Sequence, residues 1–242
     1  MLLLTIDTSG KNGSLALARV SQGHSEVEVV EAVPLAGGTF SAQLVPQIST
    51  LLAKHGYTKS DLAGFAVVSG PGSFTGLRVG LAAIKALAEV LEKPIAAVSL
   101  LEAVARSSKG RPSSPHGPIL AALDAGRGEI YVGDYERDDQ KGSDNNTGER
   151  DPDLHVHSER LLTRAEFLAQ AQGKAVVTPD AAPAEMLRAA AIPCERIDYP
   201  SSGVIARLGW ERIQRGQAVR PENLEANYIR RSDAEIFSHP KS

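Results

Sequence analysis

Ser69-Gly70-Pro71-Gly72-Ser73-Phe74-Thr75-Gly76-Leu77-Arg78-Val79-Gly80 is the stretch on which the reading of this chain turns. Phe65-Ala66-Val67-Val68 precedes it as a short apolar run, the pattern of a buried strand. Residues 81–92 follow with apolar positions at helical spacing. A strand, a glycine-rich turn and a helix start bring backbone N–H groups to one point. The first N–H groups of a helix lack internal partners, and the helix dipole adds partial positive charge there. Such a turn can hold a phosphate or carboxylate. Gly70, Gly72 and Gly76 permit positive φ and close approach of another backbone, and Pro71 sets one φ. Tight packing without a ligand explains the same residues, and the pattern favours it. No Gly-Lys-Ser/Thr ends the loop, and the glycine spacing is not that of a dinucleotide fingerprint.

The helix after the turn is more telling. Leu77, Leu81, Ile84, Ala88 and Leu91 form one apolar stripe, and Val79, Ala83, Ala86 and Val90 a second. Arg78, Lys85, Glu89 and Glu92 share one narrow polar line. A helix with a single buried face has a wider polar side. The spacing therefore predicts cover on more than one face, supplied either by this chain or by a partner protein.

Ahead of the loop, residues 2–6, 14–19 and 27–33 read as three strands joined by short polar turns, an antiparallel meander. Asp7-Thr8-Ser9 ends the first strand. A carboxylate beside two hydroxyls can meet a phosphate or a hydrated cation, but an Asx or Ser/Thr turn closing the hairpin is the simpler reading. Residues 41–54 read as an amphipathic helix capped by Thr39 or Ser41, with Pro46 near its start. Residues 95–98 form another strand and 100–106 a short helix.

Residues 109–118, rich in Pro, Ser and Gly, read as a linker between lobes. A second hairpin opens at 119–124 and 129–135, and residues 137–152 read as a polar surface loop. Strands at 153–157, 175–178 and 194–197 alternate with helices at 163–172 and 184–190. A last helix spans 201–215, and the polar end beyond Ile236 reads as a disordered tail. Three antiparallel strands followed by alternating helices and parallel strands is the order of an α/β ribonuclease-H-like or actin-like lobe. Two such lobes with a cleft between them are expected: an N-terminal lobe over 1–108, a smaller lobe over 119–200, and a closing helix and tail over 201–242.

The chain has 242 residues, 42% of them hydrophobic, enough to bury a real core. A net charge of −3 and a pI near 6.1 give no bulk attraction to nucleic acid. Cys194 is the one cysteine, so no internal disulfide exists. The apolar start, residues 2–4, is too short for a signal or a membrane span, which predicts a cytoplasmic protein. His24, His55, His116, His155, His157 and His239 include no His-x-x-x-His pair of the kind that meets one metal ion from a helix. His155 and His157 read as exposed, and Cys194, in apolar surroundings, as inert. No metal and no catalytic set is expected.

Leu4-Thr5-Ile6-Asp7-Thr8-Ser9, the loop at 70–80, Asp124-Ala125-Gly126-Arg127-Gly128-Glu129-Ile130-Tyr131 and Tyr228-Ile229-Arg230, in that order, resemble the bacterial TsaB (YeaZ) family. The resemblance implies a non-catalytic scaffold needed for N6-threonylcarbamoyladenosine at position 37 of ANN-decoding tRNAs. It implies docking to a TsaD-type transferase, of which TsaB is a paralogue, with a TsaE-type ATPase joining the pair. The paired helices would be 41–54 and 76–92, with Leu44, Val45, Ile48, Leu52, Leu77, Arg78, Leu81, Ile84 and Lys85 as interface residues. Asp7, Thr8, Ser9, Gly70, Pro71, Gly72, Ser73, Thr75 and Gly76 would be vestigial nucleotide loops. No cofactor is intrinsic, and ATP or ADP belongs at the complex interface. Contact with tRNA is made through the complex, with Arg230 and Arg231 as candidates, and a homodimer forms when the partner is absent. Phe40 replaces a His common in the family, and Gly126 stands where an Arg is usual. The alternative is an actin-like ATPase or phosphotransferase that works alone through Asp7, Thr8, Ser9 and the loop.

Overall fold

The computed structural model describes residues 1–24, 26–108, 118–138 and 153–230. Most of the expected linker, most of the loop at 137–152, Arg231, His116, His239 and the tail beyond Ile236 lie outside the described residues. The chain divides into two compact units. One is residues 1–100 with those from 200 on, and the other is residues 101–199.

The first unit opens with β1 (Leu2–Asp7), β2 (Asn12–Val20) and β3 (Val27–Ala36), then α1 (Phe40–Lys54), β4 (Leu62–Gly70), α2 (Phe74–Leu91) and β5 (Ile95–Ser99). Its sheet has the order β3-β2-β1-β4-β5. β1 pairs antiparallel with β2 and parallel with β4, and β4 runs parallel with β5. Leu2, Leu3, Leu4 and Ile6 of β1, and Phe65 to Val68 of β4, are fully or almost fully buried. Continuous apolar runs of this kind mark strands covered on both faces. α1 and α2 pack on one another, and Leu44, Ile48, Leu52, Leu77, Leu81 and Ile84 join the strand residues in one core.

α3 (Leu100–Arg106) leads into the second unit: β6 (Ile119–Gly126), β7 (Glu129–Asp138), β8 (Asp153–Thr163), α4 (Arg164–Ala171), β9 (Ala175–Thr178), α5 (Ala181–Ala189) and β10 (Cys194–Arg196). The sheet order is β10-β9-β6-β7-β8, the first sheet's plan repeated. β6, β7 and β8 form the antiparallel meander, and β9 runs parallel with β6 and β10. Each unit has the ribonuclease-H-like strand order that the order of elements in the sequence predicts.

Several boundaries differ from the sequence-based expectation. α2 begins at Phe74, so Gly76 and Gly80 lie inside it rather than in a preceding loop. Ser73 stops the strand-to-helix turn there, its hydroxyl accepting from the Gly76 N–H at 3.3 Å. β8 runs for 11 residues, twice the expected strand, because every position from 153 to 163 has a partner on β7 apart from one bulge. At the start of α1, Thr39 occupies the cap position but turns its hydroxyl back to the Ala36 carbonyl at 3.1 Å.

The domain division also needs correction. α6 (Ser202–Gln214) is part of the first unit rather than a separate closing segment, and α3 groups with the second rather than the first. α6 lies on the first sheet through Ile205, Ala206, Leu208, Gly209 and Trp210. The Trp210 indole N–H donates to the Ser21 and His24 carbonyls at 3.1 and 3.2 Å. At Gly209 the backbone of α6 comes so near Ala66 of β4 that an added methyl would lie closer than 3.0 Å to it.

Gly209→Ala is expected to destabilise the chain. Helix propensity favours Ala over Gly by about 1 kcal/mol, while overpacking a core costs about 1–3 kcal/mol, and so close an overlap belongs at the upper end. A net loss of about 2 kcal/mol should appear in urea unfolding. A stabilised variant would show that α6 is not pressed onto β4.

Candidate functional site

The end of β1 and the start of α2 form one unit of structure. Ser73 N–H donates to the Ser9 carbonyl at 2.7 Å. Thr8 Oγ1 donates to the Gly76 carbonyl at 2.8 Å. Thr8 is fully buried and Ser9 nearly so. The glycines answer to this contact: a Cβ on Gly72 would meet Ser9, and one on Gly76 or Gly80 would meet Thr8, all closer than 3.0 Å. Gly70 has φ 134° before a cis Pro71, and a Cβ there would approach the Asn227 carbonyl to 2.8 Å. Tight backbone packing thus accounts for Gly70, Gly72, Gly76 and Gly80.

The expected vestigial loops are therefore brought together, with the hydroxyls of Thr8 and Ser9 turned inward. Asp7 Oδ1 accepts from the Ser9 N–H at 2.8 Å and from Ser9 Oγ at 2.6 Å, a closed Asx turn. Burial pushes the Asp7 carboxyl above its ordinary value, against the pull of these two bonds. Ser73 and Thr75 are exposed. Phe40, where the family resemblance puts a His, is buried beside the turn, its ring 2.8 Å from where a Cβ on Gly13 would stand. An apolar ring fills that space.

The expected interface residues separate into two groups. Leu44, Ile48, Leu52, Leu77, Leu81 and Ile84 are 5% exposed or less. They belong to the chain's own core, which corrects their placement on a partner face. Helical spacing identifies an apolar stripe but not which neighbour covers it. Val45 is 57% exposed, Arg78 is exposed and Lys85 half-buried. On α2 the outer side is carried by Ala82, Ala86, Glu89 and Val90, with Val90 79% exposed. Of the second stripe, Val79 and Ala83 pack at the margin of the core, while Ala86 and Val90 face outward.

Two aromatic residues escaped the sequence reading as site residues. Phe74 and Tyr228 lie with ring centres 4.9 Å apart, and Arg78 stacks on Phe74 and bonds to Tyr228. The i, i+4 spacing of Phe74 and Arg78 was a signal for the first contact. Nothing local announces Tyr228, which arrives from the chain's last described segment.

In the second unit the turn after β6 is tied to the start of α5. Asp124 N–H donates to Asp180 Oδ2 at 2.8 Å, and Tyr199 OH to Asp180 Oδ1 at 2.6 Å. Gly126 N–H donates to Asp124 Oδ1 at 2.8 Å. Gly126, Arg127 and Gly128 all have positive φ, as this tight turn requires. His155 and His157 are exposed, and His157 Nε2 pairs with Glu136 at 3.0 Å. Burial pushes the Cys194 thiol up, away from the reactive thiolate. No group of three or more His, Cys, Asp or Glu among the described residues is arranged to hold a metal ion.

Asp7 makes stability depend on pH. A folded-state value raised above the ordinary 3.8 means that the ionised carboxylate is disfavoured in the fold. Its cost is absent below 3.8 and grows as pH rises through the folded value. Asp7→Asn, uncharged throughout, should therefore gain stability over the parent at neutral pH and lose that gain at acid pH. Urea midpoints at the two conditions decide. A variant destabilised most at neutral pH would mean that the carboxylate is favourably held.

A family model described as TsaD, tRNA N6-adenosine threonylcarbamoyltransferase, matches residues 34–150. The tRNA threonylcarbamoyladenosine biosynthesis protein TsaB of Bacillus subtilis (strain 168) is 35% identical over 136 residues, 56% of each chain. The protein of the same name from Escherichia coli (strain K12) is 31% identical over 139 residues, 57% of each. The chain thus spans little more than half the length of these curated relatives. YeaZ from Pseudomonas aeruginosa superposes with a TM-score of 0.69 at 23% identity, over 94% of this chain and 99% of that one, and shares the fold. In sequence motifs over about half its length, and in fold over nearly all of it, the chain is similar to the bacterial TsaB (YeaZ) family.

Proposed function

We propose that this chain docks and activates a TsaD-type transferase, and is required to form N6-threonylcarbamoyladenosine at position 37 of ANN-decoding tRNAs. The names of its relatives support the pathway. The observation that supports docking is the outer side of α2, where Ala82, Ala86 and Val90 stand exposed, together with exposed Val45 on α1, the helix packed against it. Small and apolar side chains let a partner helix approach closely and exclude water. In this reading the chain is a cytoplasmic, non-catalytic subunit, a TsaE-type ATPase joins the pair, and ATP or ADP sits at the assembled interface. The same surface pairs two copies when the transferase is absent, and tRNA is reached through the complex. No helix among the described residues is long and apolar enough to cross a membrane. A self-standing ATPase finds less support, because Thr8 and Ser9 spend their hydroxyls inside the fold.

Reconstitution tests this directly: modification of tRNA should require the chain together with the transferase and ATPase, and equal yield without it would end the proposal. Ala86→Glu and Val90→Glu should keep the fold and weaken pairing by about tenfold or more, as charge in an apolar interface core does. Leu81→Glu and Ile84→Glu should instead unfold the chain, since each buries an unpaired carboxylate. Circular dichroism separates the two outcomes.

A further inference from the structure

Arg78 is held more firmly than an exposed arginine usually is. Its guanidinium carbon lies 3.9 Å from the centre of the Phe74 ring. Its Nε donates to the Tyr228 hydroxyl at 3.1 Å. Phe74 and Tyr228 lean on each other with planes 33° apart. The segment carrying Tyr228 is itself tied to β4, because Asn227 N–H donates to the Ser69 carbonyl at 2.7 Å. Leu224, just before it, is buried in the first core. Two parts of the chain 150 residues apart therefore fix one side chain. Yet Phe74 is 38% and Tyr228 42% exposed, and Arg78 is exposed. Among the described residues, Nη1 and Nη2 of Arg78 have no acceptor.

A guanidinium fixed through one nitrogen and one face, with its two terminal nitrogens free, is a fork prepared for a planar anion. We propose that Arg78, mounted on Phe74 and Tyr228, is the selecting anchor of the docking surface and takes one Asp or Glu carboxylate of the partner protein in bidentate fashion. This rests on the docking reading above and names the chemistry at one end of that surface. Continuity of surface favours a protein over RNA. From Arg78, α2 continues through exposed Ala82, Ala86, Glu89 and Val90, and the chain carries a net charge of −3. A nucleic-acid backbone is met by several cations in a row. Arginine and aromatic residues beside an apolar strip are the composition that concentrates binding energy in protein interfaces. The role of Tyr228 follows: its hydroxyl accepts from Arg78 Nε and so positions the guanidinium.

Calorimetric titration of the full chain with the TsaD-type transferase of the same organism is the test. Arg78→Ala should weaken binding by about thirtyfold or more, on the scale of an interface hot spot. Arg78→Lys keeps the charge and loses the fork, and should still cost about tenfold. Tyr228→Phe keeps the ring and frees the guanidinium, and should cost about threefold to tenfold. Thermal midpoints should not move, since Arg78 is exposed. Against Arg78→Glu, changing the transferase's surface acids to Lys one at a time should restore binding at one position. Unchanged affinity of Arg78→Ala, while Ala86→Glu still weakens the pair, overturns the anchor and leaves the docking reading standing. Failure of the parent chain to bind removes both. Loss of tRNA binding in Arg78→Ala with transferase affinity intact would make the ligand a phosphate and overturn the inference.

Discussion

The backbone of α2 rests directly on the end of β1, and the first unit is arranged around that contact. Thr8 reaches the Gly76 carbonyl, Ser73 reaches the Ser9 carbonyl, and no side chain fits at Gly72, Gly76 or Gly80. Interiors are packed to crystal-like density, so a helix that close has few positions available to it. α2 is thereby set in one orientation over β4. Leu77, Leu81 and Ile84 are turned into the core, and Ala82, Ala86 and Val90 are turned out. The glycine-rich stretch is a mechanical joint, and its resemblance to an anion-binding loop comes from the same need for close backbone approach.

Architecture then repeats with altered consequences. Both units use a meander followed by parallel strands, in mirrored strand listings of one plan. In the first, two helices of 15 and 18 residues pack together as a layer. In the second, α4 and α5 have 8 and 9 residues and bury little beyond Phe167, Ala171, Pro183 and Leu187. The longer helices leave a second side to spare, which is what a docking surface needs. α6 closes the opposite requirement in the first unit, covering strands that are apolar throughout and could not face water.

Charge at the Asp7 turn and at the start of α2 is handled in two ways. Burial disfavours the ionised form of Asp7, and the two hydrogen bonds from Ser9 offset only part of that cost. Arg78, one turn into α2, is held at the surface by Phe74 and Tyr228, and among the described residues two of its nitrogens have no acceptor. A half-buried acid with local partners serves the turn itself. A rigid exposed cation stands ready for a partner group outside the chain.

By itself the sequence determined the element order and the repeat of one plan in two lobes, because apolar periodicity and turn residues are local signals carried by short stretches, and its motifs carried the resemblance to the TsaB family. Loop glycines were legible as sites of close approach, and the lack of a His-x-x-x-His pair was plain by inspection. The facing of α2 was not legible. Leu81 and Val90 are both apolar at helical spacing, and only the packing of α2 on β1 and β4 makes one of them core and the other surface. Nor could spacing join Phe74 and Arg78 to Tyr228, or α6 to the first sheet, since contacts between residues more than a hundred positions apart exist only once the chain has folded.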